Sequence, residues 1–389
     1  MKYMLACNWD KALLEGAEGT EAKSLFGGIP NSFIPGGRAS VLIPEVNKEY
    51  VEDYVKECHD KDLEFTFLMN GSCMDNLEYT RKGYHSIMRE LEWISGIGVD
   101  RVVITLPFLI ELVVKHFPNL KVEVSSYQKI DSVTRAKRFE DMGVGAIMLS
   151  EHVNRNFKLL EGIRKGVDCE IILLGNLGCL YGCPSLFSHA NLQAHASQAG
   201  HCTEGFVADG YILNCTTQRL INPVEFIRTR WIRPNDVHYY EEIGIDAIKI
   251  IERQCTTEAL LKRLGYYSQQ KYTGNLIDLL GQMPNRKNYL PANSPYLMRE
   301  EFANVIQLLK RLSVLDKVSL ADLIYVDNEK IPQDFLDYFK KVDCHLLSCE
   351  ECRYCYEIAE QAISTDEKLE EVREKFKMIK DDFVMGKVF

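Results

Sequence analysis

Short apolar runs alternate with longer amphipathic stretches over the first two-thirds of the chain. Runs rich in Val, Ile, Leu or Phe occupy residues 3–8, 40–43, 64–70, 101–106, 121–126, 146–150, 170–175 and 246–251. Brief apolar segments of this kind, bounded by polar text, predict strands buried on both faces. Residues 45–61, 77–95, 107–117, 131–142 and 154–165 carry apolar positions at helical spacing instead. Asp131 and Asn154 suit helix N-caps, and Gly143 suits a helix end, as Gly96 and Gly98 do before Arg101. Regular alternation of strand and helix predicts a parallel sheet with helices outside it. Eight strands favour a closed (β/α)8, TIM-like barrel over an open doubly wound sheet; 40–43 is the weakest of them. Neither a G-x-G-x-x-G nor a phosphate-binding P-loop follows a strand, which removes the usual nucleotide-cofactor signals.

The rhythm breaks between the seventh and eighth strands. About 70 residues, Asn176 to Ile245, separate them, and connections that long inside a compact domain are usually functional. In a barrel this loop leaves the C-terminal face, where active sites lie. The expected organisation is a barrel over 1–265, a helical linker over 266–318 broken by Pro284, Pro291 and Pro295, and a cysteine-rich module with a terminal helix over 319–389. The charges of that last helix read as a solvated face.

Composition narrows the class. Of 389 residues, 46% are hydrophobic and 26% charged, which fits an ordinary globular protein and neither a disordered nor a fibrous one. A net charge of −10 disfavours bulk nucleic-acid binding. No apolar run approaches the roughly 20 residues of a membrane span. Residues 1–10 lack signal-peptide anatomy, so a cytoplasmic location is expected.

The 13 cysteines change the picture most. Cys179, Cys183, Cys202 and Cys215 fall in the long loop, and Cys344, Cys349, Cys352 and Cys355 lie in a C-x4-C-x2-C-x2-C run. In a reducing compartment such groups are more often metal ligands than disulfides. Either set suits an iron–sulfur cluster or structural zinc. The C-terminal four read as a second metal site, or as ligands to the first, with zinc as the rival occupant. Buried, unliganded cysteines are the plainer reading of both.

Three parts of the chain carry a family resemblance. Glu170-Ile-Ile-Leu-Leu-Gly175-Asn-Leu-Gly-Cys179, with Cys183-Pro184 after it, resembles the signature of the collagenase-like peptidase family U32. Glu242-Ile-Gly-Ile-Asp246-Ala-Ile-Lys249-Ile-Ile-Glu252-Arg253 is similar to a later motif of that family, and Met4-Leu-Ala with Gly37-Arg38-Ala-Ser to its first strand and following loop. The match spans roughly residues 1–265. Its first cysteine comes one residue late and three residues, not six, precede the second. The resemblance implies less a proteolytic enzyme than the family's iron–sulfur members, which carry out oxygen-independent hydroxylations in ubiquinone biosynthesis and on tRNA and rRNA. In those, four cysteines hold a four-iron four-sulfur cluster on a barrel-like domain. Carried over, the ligands are Cys179, Cys183 and Cys215, with Cys202 the weakest.

The leading functional expectation is therefore an iron–sulfur redox enzyme acting on a small or medium organic substrate, served by an electron-donor protein, with a homo- or heterodimer as the candidate assembly. A peptidase, or a non-catalytic metal-dependent scaffold or electron carrier, is the alternative; no G-x-S-x-G or H-E-x-x-H occurs, although Cys183 and His189 offer a Cys/His pair. Asn8, Asn70, Ser125, Tyr127, Glu151, His152, Asn176, Lys249 and Arg253 sit where strands end. Glu151 beside His152 can move protons near neutral pH, or form a satisfied polar pair at the rim. Lys249 and Arg253 can bind a carboxylate or phosphate, or close the barrel through internal salt bridges. Arg230-Trp231-Ile-Arg233 can stack a ring substrate, but a loop packing its tryptophan is the favoured reading.

Overall fold

In a computed structural model, which describes residues 1–281, 289–290, 299–315 and 318–389, eight parallel strands close into a barrel in sequence order. They are β1 (Lys2–Ala6), β2 (Ala22–Gly27), β3 (Glu64–Met69), β4 (Arg101–Ile104), β5 (Lys121–Val124), β6 (Ala146–Met148), β7 (Glu170–Leu174) and β8 (Ala247–Ile250). Closure comes from β1 against β8, with Met4 opposite Lys249. The outer helices are α1 (Lys11–Ala17), α2 (Lys48–Asp60), α3 (Arg81–Gly96), α4 (Pro107–His116), α5 (Val133–Glu140) and α6 (Phe157–Gly166). Side-chain caps start them: Asn47 accepts from the Tyr50 N–H, Thr80 from Gly83, Ser132 from Arg135 and Asn156 from Leu159. The caps expected at Asp131 and Asn154 thus fall one and two residues later.

One strand lies elsewhere than expected. Residues 40–43 form a single 3-10 turn, Ser40–Leu42, whose Ser40 N–H bonds to the Ala196 carbonyl. The second strand is Ala22–Gly27, where Lys23 and Ser24 interrupt the apolar text. The apolar residues of 40–43 are buried by packing, not by pairing.

About half of the interval between β7 and β8 is helical. It contains α7 (Leu186–His195), α8 (Gly210–Ile221), α9 (Glu225–Arg228) and α10 (Val237–Ile243). Then α11 (Thr257–Ser268) crosses the expected boundary at 265. The linker's three proline breaks lie outside the described residues; α12 (Val305–Leu315) follows them.

The C-terminal module comprises α13 (Leu320–Leu323), β9 (Ile324–Val326), α14 (Asp337–Lys341), α15 (Cys349–Cys352), α16 (Tyr354–Ala362) and β10 (Ile363–Thr365). Strands β9 and β10 pair antiparallel. The last helix, α17 (Leu369–Val384), buries Leu369, Phe376 and Ile379 and packs along α8. One apolar cluster runs from the barrel through Trp231 to Phe335, Ile358 and Ile379, so module and barrel share a core. Among the described residues no helix is long and apolar enough to cross a membrane.

Candidate functional site

Parallel strands deliver their C-terminal ends, and the loops after them, to one mouth of the barrel. A cavity of about 800 Å³ opens there. Arg38 reaches it from the loop after β2, Asn70 from the end of β3, Tyr127 and Lys129 from the loop after β5, Glu151 from that after β6 and Cys179 from that after β7. Gly37 lies so close to Asn70 and Tyr127 that a Cβ would stand 2.7 Å from the Tyr127 ring and 2.8 Å from Asn70 Nδ2. Its N–H donates to Asn70 Oδ1 at 2.9 Å, and Tyr127 donates to its carbonyl at 3.0 Å.

Three arrangements of charge line the cavity. Arg38 grips Glu252 with both terminal nitrogens, and Glu252 adopts φ 108°, a strained value for a side-chain-bearing residue. Beside them Arg253 is only 6% exposed, and its Nη1 has no hydrogen-bond partner. Burial, then the neighbouring Arg38, push this guanidinium down to about 9, a direction that a bound anion would reverse. Across the cavity Lys129 Nζ lies 2.7 and 2.8 Å from the two oxygens of Glu151. Burial pushes the Glu151 carboxyl up, but Lys129 and His152 outweigh it and the net direction is down. At the rim His189 on α7 meets Asp209, the N-cap of α8, at 2.9 Å, and Gln193 donates to the same carboxylate at 2.7 Å.

The residues expected at strand ends divide. Asn70, Ser125, Tyr127, Glu151, Lys249 and Arg253 line the cavity. Asn8 instead donates to the Cys255 carbonyl and Thr257. Asn176 donates to the Ile251 and Leu279 carbonyls. Lys249 sits 3.0 Å from Glu123, which also faces Arg101 at 3.9 Å, and Arg101 meets Glu170 at 2.9 Å. That chain of charges, buried except at Glu170, ties β4, β5, β7 and β8 together. His152 stands 3.6 Å from Glu151, and both its ring nitrogens are buried without a hydrogen bond. Burial pushes its pKa down. Trp231 is buried and Arg233 is locked to Asp236, so that segment packs as a folded loop. Lys129, the Arg38–Glu252 pair and Asp209 were not singled out from the sequence as site residues, because each is paired across the fold; His189 was, but as a partner for Cys183.

The cysteines of the long loop are partly gathered. Cys179 lines the cavity, and burial pushes its thiol up to about 12, with Glu151 and the nearby Cys215 adding to the rise while Lys129 and Arg219 oppose it. Cys215 lies four residues before Arg219 on α8, one helical turn away. Arg219 is fully buried, bonds the Gly178 carbonyl, and leaves Nε and Nη1 without partners. Cys183 is half-buried, and Cys202 is exposed with His201 Nδ1 3.9 Å away. Among the described residues no three His, Cys, Asp or Glu side chains are drawn together closely enough to hold an ion. The donor chemistry nevertheless suits an anionic thiolate centre, because a buried guanidinium with two idle donors flanks Cys179.

A barrel with a polar cavity at this mouth is an architecture shared by many enzymes. The pattern defining peptidase family U32 matches residues 23–270, and the chain belongs to that family. It is 28% identical over 343 residues to an uncharacterized protease of Methanocaldococcus jannaschii, covering 88% of this chain and 89% of that one. A solved U32 peptidase superposes with a TM-score of 0.50 at 22% identity, over 65% of this chain and 93% of its own, which supports the fold.

Proposed function

We propose that the protein is an iron–sulfur-dependent oxidoreductase whose small or medium organic substrate carries an anionic group and binds in the barrel mouth. The observation that carries the redox half is Arg219, a buried cation with unpaired donors beside Cys179 and Cys215. Buried charge is stable only when paired. A cluster held by Cys179, Cys183 and Cys215, with Cys202 as fourth ligand, would supply that negative charge and, when bound, one-electron chemistry.

The chain's own residues do the rest. Arg253 receives the substrate's anionic group with its idle Nη1, oriented by the rigid Arg38–Glu252 pair alongside. Lys129 and Glu151 present a fixed, charged wall. His189, oriented by Asp209, is the group placed to take or give a proton at the rim.

The peptidase reading draws on the names of the relatives and on the His189–Asp209 pair. It needs a nucleophile near that imidazole. The cavity's cysteine, Cys179, has its thiol raised to about 12 by burial, the opposite of what a nucleophile requires.

Substrate class is tested by thermal unfolding with benzoate, phenylacetate or succinate as probes. At least one should stabilise wild type, by about 2.7 kcal/mol at a hundredfold excess over its Kd. Arg253→Gln should weaken that binding by about 10- to 100-fold, the value of a charge-assisted hydrogen bond. If no carboxylate stabilises wild type, or Arg253→Gln binds equally well, the assignment of Arg253 is wrong.

A further inference from the structure

The second cysteine group lies outside the residues that match the family, at the face where the C-terminal module docks on the β7–β8 connection. Cys349 and Cys352 open and close the single turn of α15, so their side chains share a face. Arg353 then takes a left-handed conformation, φ 57°, and reverses the chain into α16, whose second residue is Cys355. Cys344 arrives from the loop after α14. Tyr338 packs over the group, its hydroxyl 3.2 Å from Cys352 Sγ and its ring stacked on Tyr354 at 3.9 Å.

The surroundings are unusually cationic. Arg155, Arg228 and Arg230 are all at least nine-tenths buried at this interface. Arg228 pairs with Glu225 at 2.7 Å and reaches Glu350 at 3.6 Å. Among the described residues Arg155 and Arg230 have no carboxylate partner. Arg155 donates to the Ile227 and Thr229 carbonyls and stacks over Trp231, leaving Nε idle. Arg230 lies 3.7 Å over the Tyr181 ring and donates to the Arg228 carbonyl. Asp236 acts on Arg155 but is already held by Arg233, and two buried cations with no ion pair of their own are costly. Tyr181, the ring under Arg230, donates to the Cys344 carbonyl at 3.4 Å, and Arg228 lies 4.5 Å over the ring of Tyr356, the residue after Cys355.

We infer that Cys344, Cys349, Cys352 and Cys355 hold a thiolate-ligated metal centre, iron–sulfur or zinc, with Arg155 and Arg230 as its counter-cations. Four thiolates around either a divalent zinc or a doubly charged four-iron core leave a net charge of about −2. That matches two unpaired guanidiniums. The centre would staple the module to the barrel, since its ligands come from the module and its counter-cations from α6's approach and the β7–β8 connection. This inference is independent of the cluster proposed at the barrel mouth, whose cysteines are separate.

The test is iron, sulfide and zinc content of the full chain, prepared anaerobically, as wild type and as Cys352→Ser/Cys355→Ser. Loss of about one zinc identifies zinc, and loss of about four irons with matching sulfide identifies a cluster; either supports the site. Unchanged metal overturns it. Should the double variant not fold, wild type suffices. With iodoacetamide and peptide mass mapping, these four cysteines should label at least about tenfold more slowly in the loaded protein than after the metal is stripped with chelator and ferricyanide and the protein reduced. Equal labelling before and after stripping refutes the inference.

Discussion

Arg233→Met is expected to destabilise the protein by about 3–5 kcal/mol, the cost of leaving one member of a buried ion pair alone. Arg233 is fully buried and fixes Asp236 with Nε at 2.7 Å and Nη2 at 2.8 Å. The same guanidinium donates to the Ile331 and Pro332 carbonyls at 3.1 and 2.9 Å. It therefore joins the β7–β8 connection to the C-terminal module. Methionine fills much of the space but supplies none of these donors, and Asp236, whose carboxyl burial already pushes up, loses its partner. Denaturant unfolding measures the loss. Limited proteolysis should cut first within the module, because its docking contacts fail before the barrel. A change under about 1 kcal/mol would mean that water reaches this pair.

Lys129→Met is expected to cost a comparable amount, about 3–5 kcal/mol at neutral pH, because Glu151 stays buried and charged without its partner. The double variant Lys129→Met/Glu151→Leu should recover most of that stability, since an apolar pair of similar volume removes both desolvation penalties. The pH dependence gives a second check. In wild type the Glu151 carboxyl lies below its unfolded value, so the pair's contribution is complete above the unfolded carboxyl value of about 4.3 and is lost as pH falls through the lower folded one. In Lys129→Met burial acts with only His152 and a backbone hydrogen bond opposing it, the carboxyl rises, and the deficit against wild type should shrink on acidification. A deficit independent of pH would show that packing, not charge, is lost.

The barrel is legible in the sequence because seven strands fall in short, largely apolar runs, as strands buried on both faces do, although Glu123 and Lys249 interrupt β5 and β8. The second was misplaced for a physical reason. Lys23 and Ser24 break its apolar text, while the 40–43 segment satisfies apolarity without pairing. The β7–β8 connection was read as a loop because α7, Leu-Phe-Ser-His-Ala-Asn-Leu-Gln-Ala-His, mixes polar and apolar residues all round. Position at a strand end was enough to put Glu151, Lys249 and Arg253 on the wall of the cavity. It could not reveal Lys129 as the partner of Glu151, because that pair forms only when two successive βα loops meet over the mouth. Nor could it reveal Arg155, Arg219 and Arg230, since arginine is ordinarily an exposed residue. Their burial beside thiols is the structural signal that gives the cysteine spacing a chemical meaning.

The central claim is an iron–sulfur centre at the barrel mouth, and iron with acid-labile sulfide in Cys179→Ala/Cys183→Ala tests it most directly. Anaerobically prepared wild type should be brown, and this variant should lose about four irons and four sulfides per chain while whatever metal the C-terminal cysteines hold remains. Full retention of iron and sulfide in the variant, or a wild type free of both, would contradict the account.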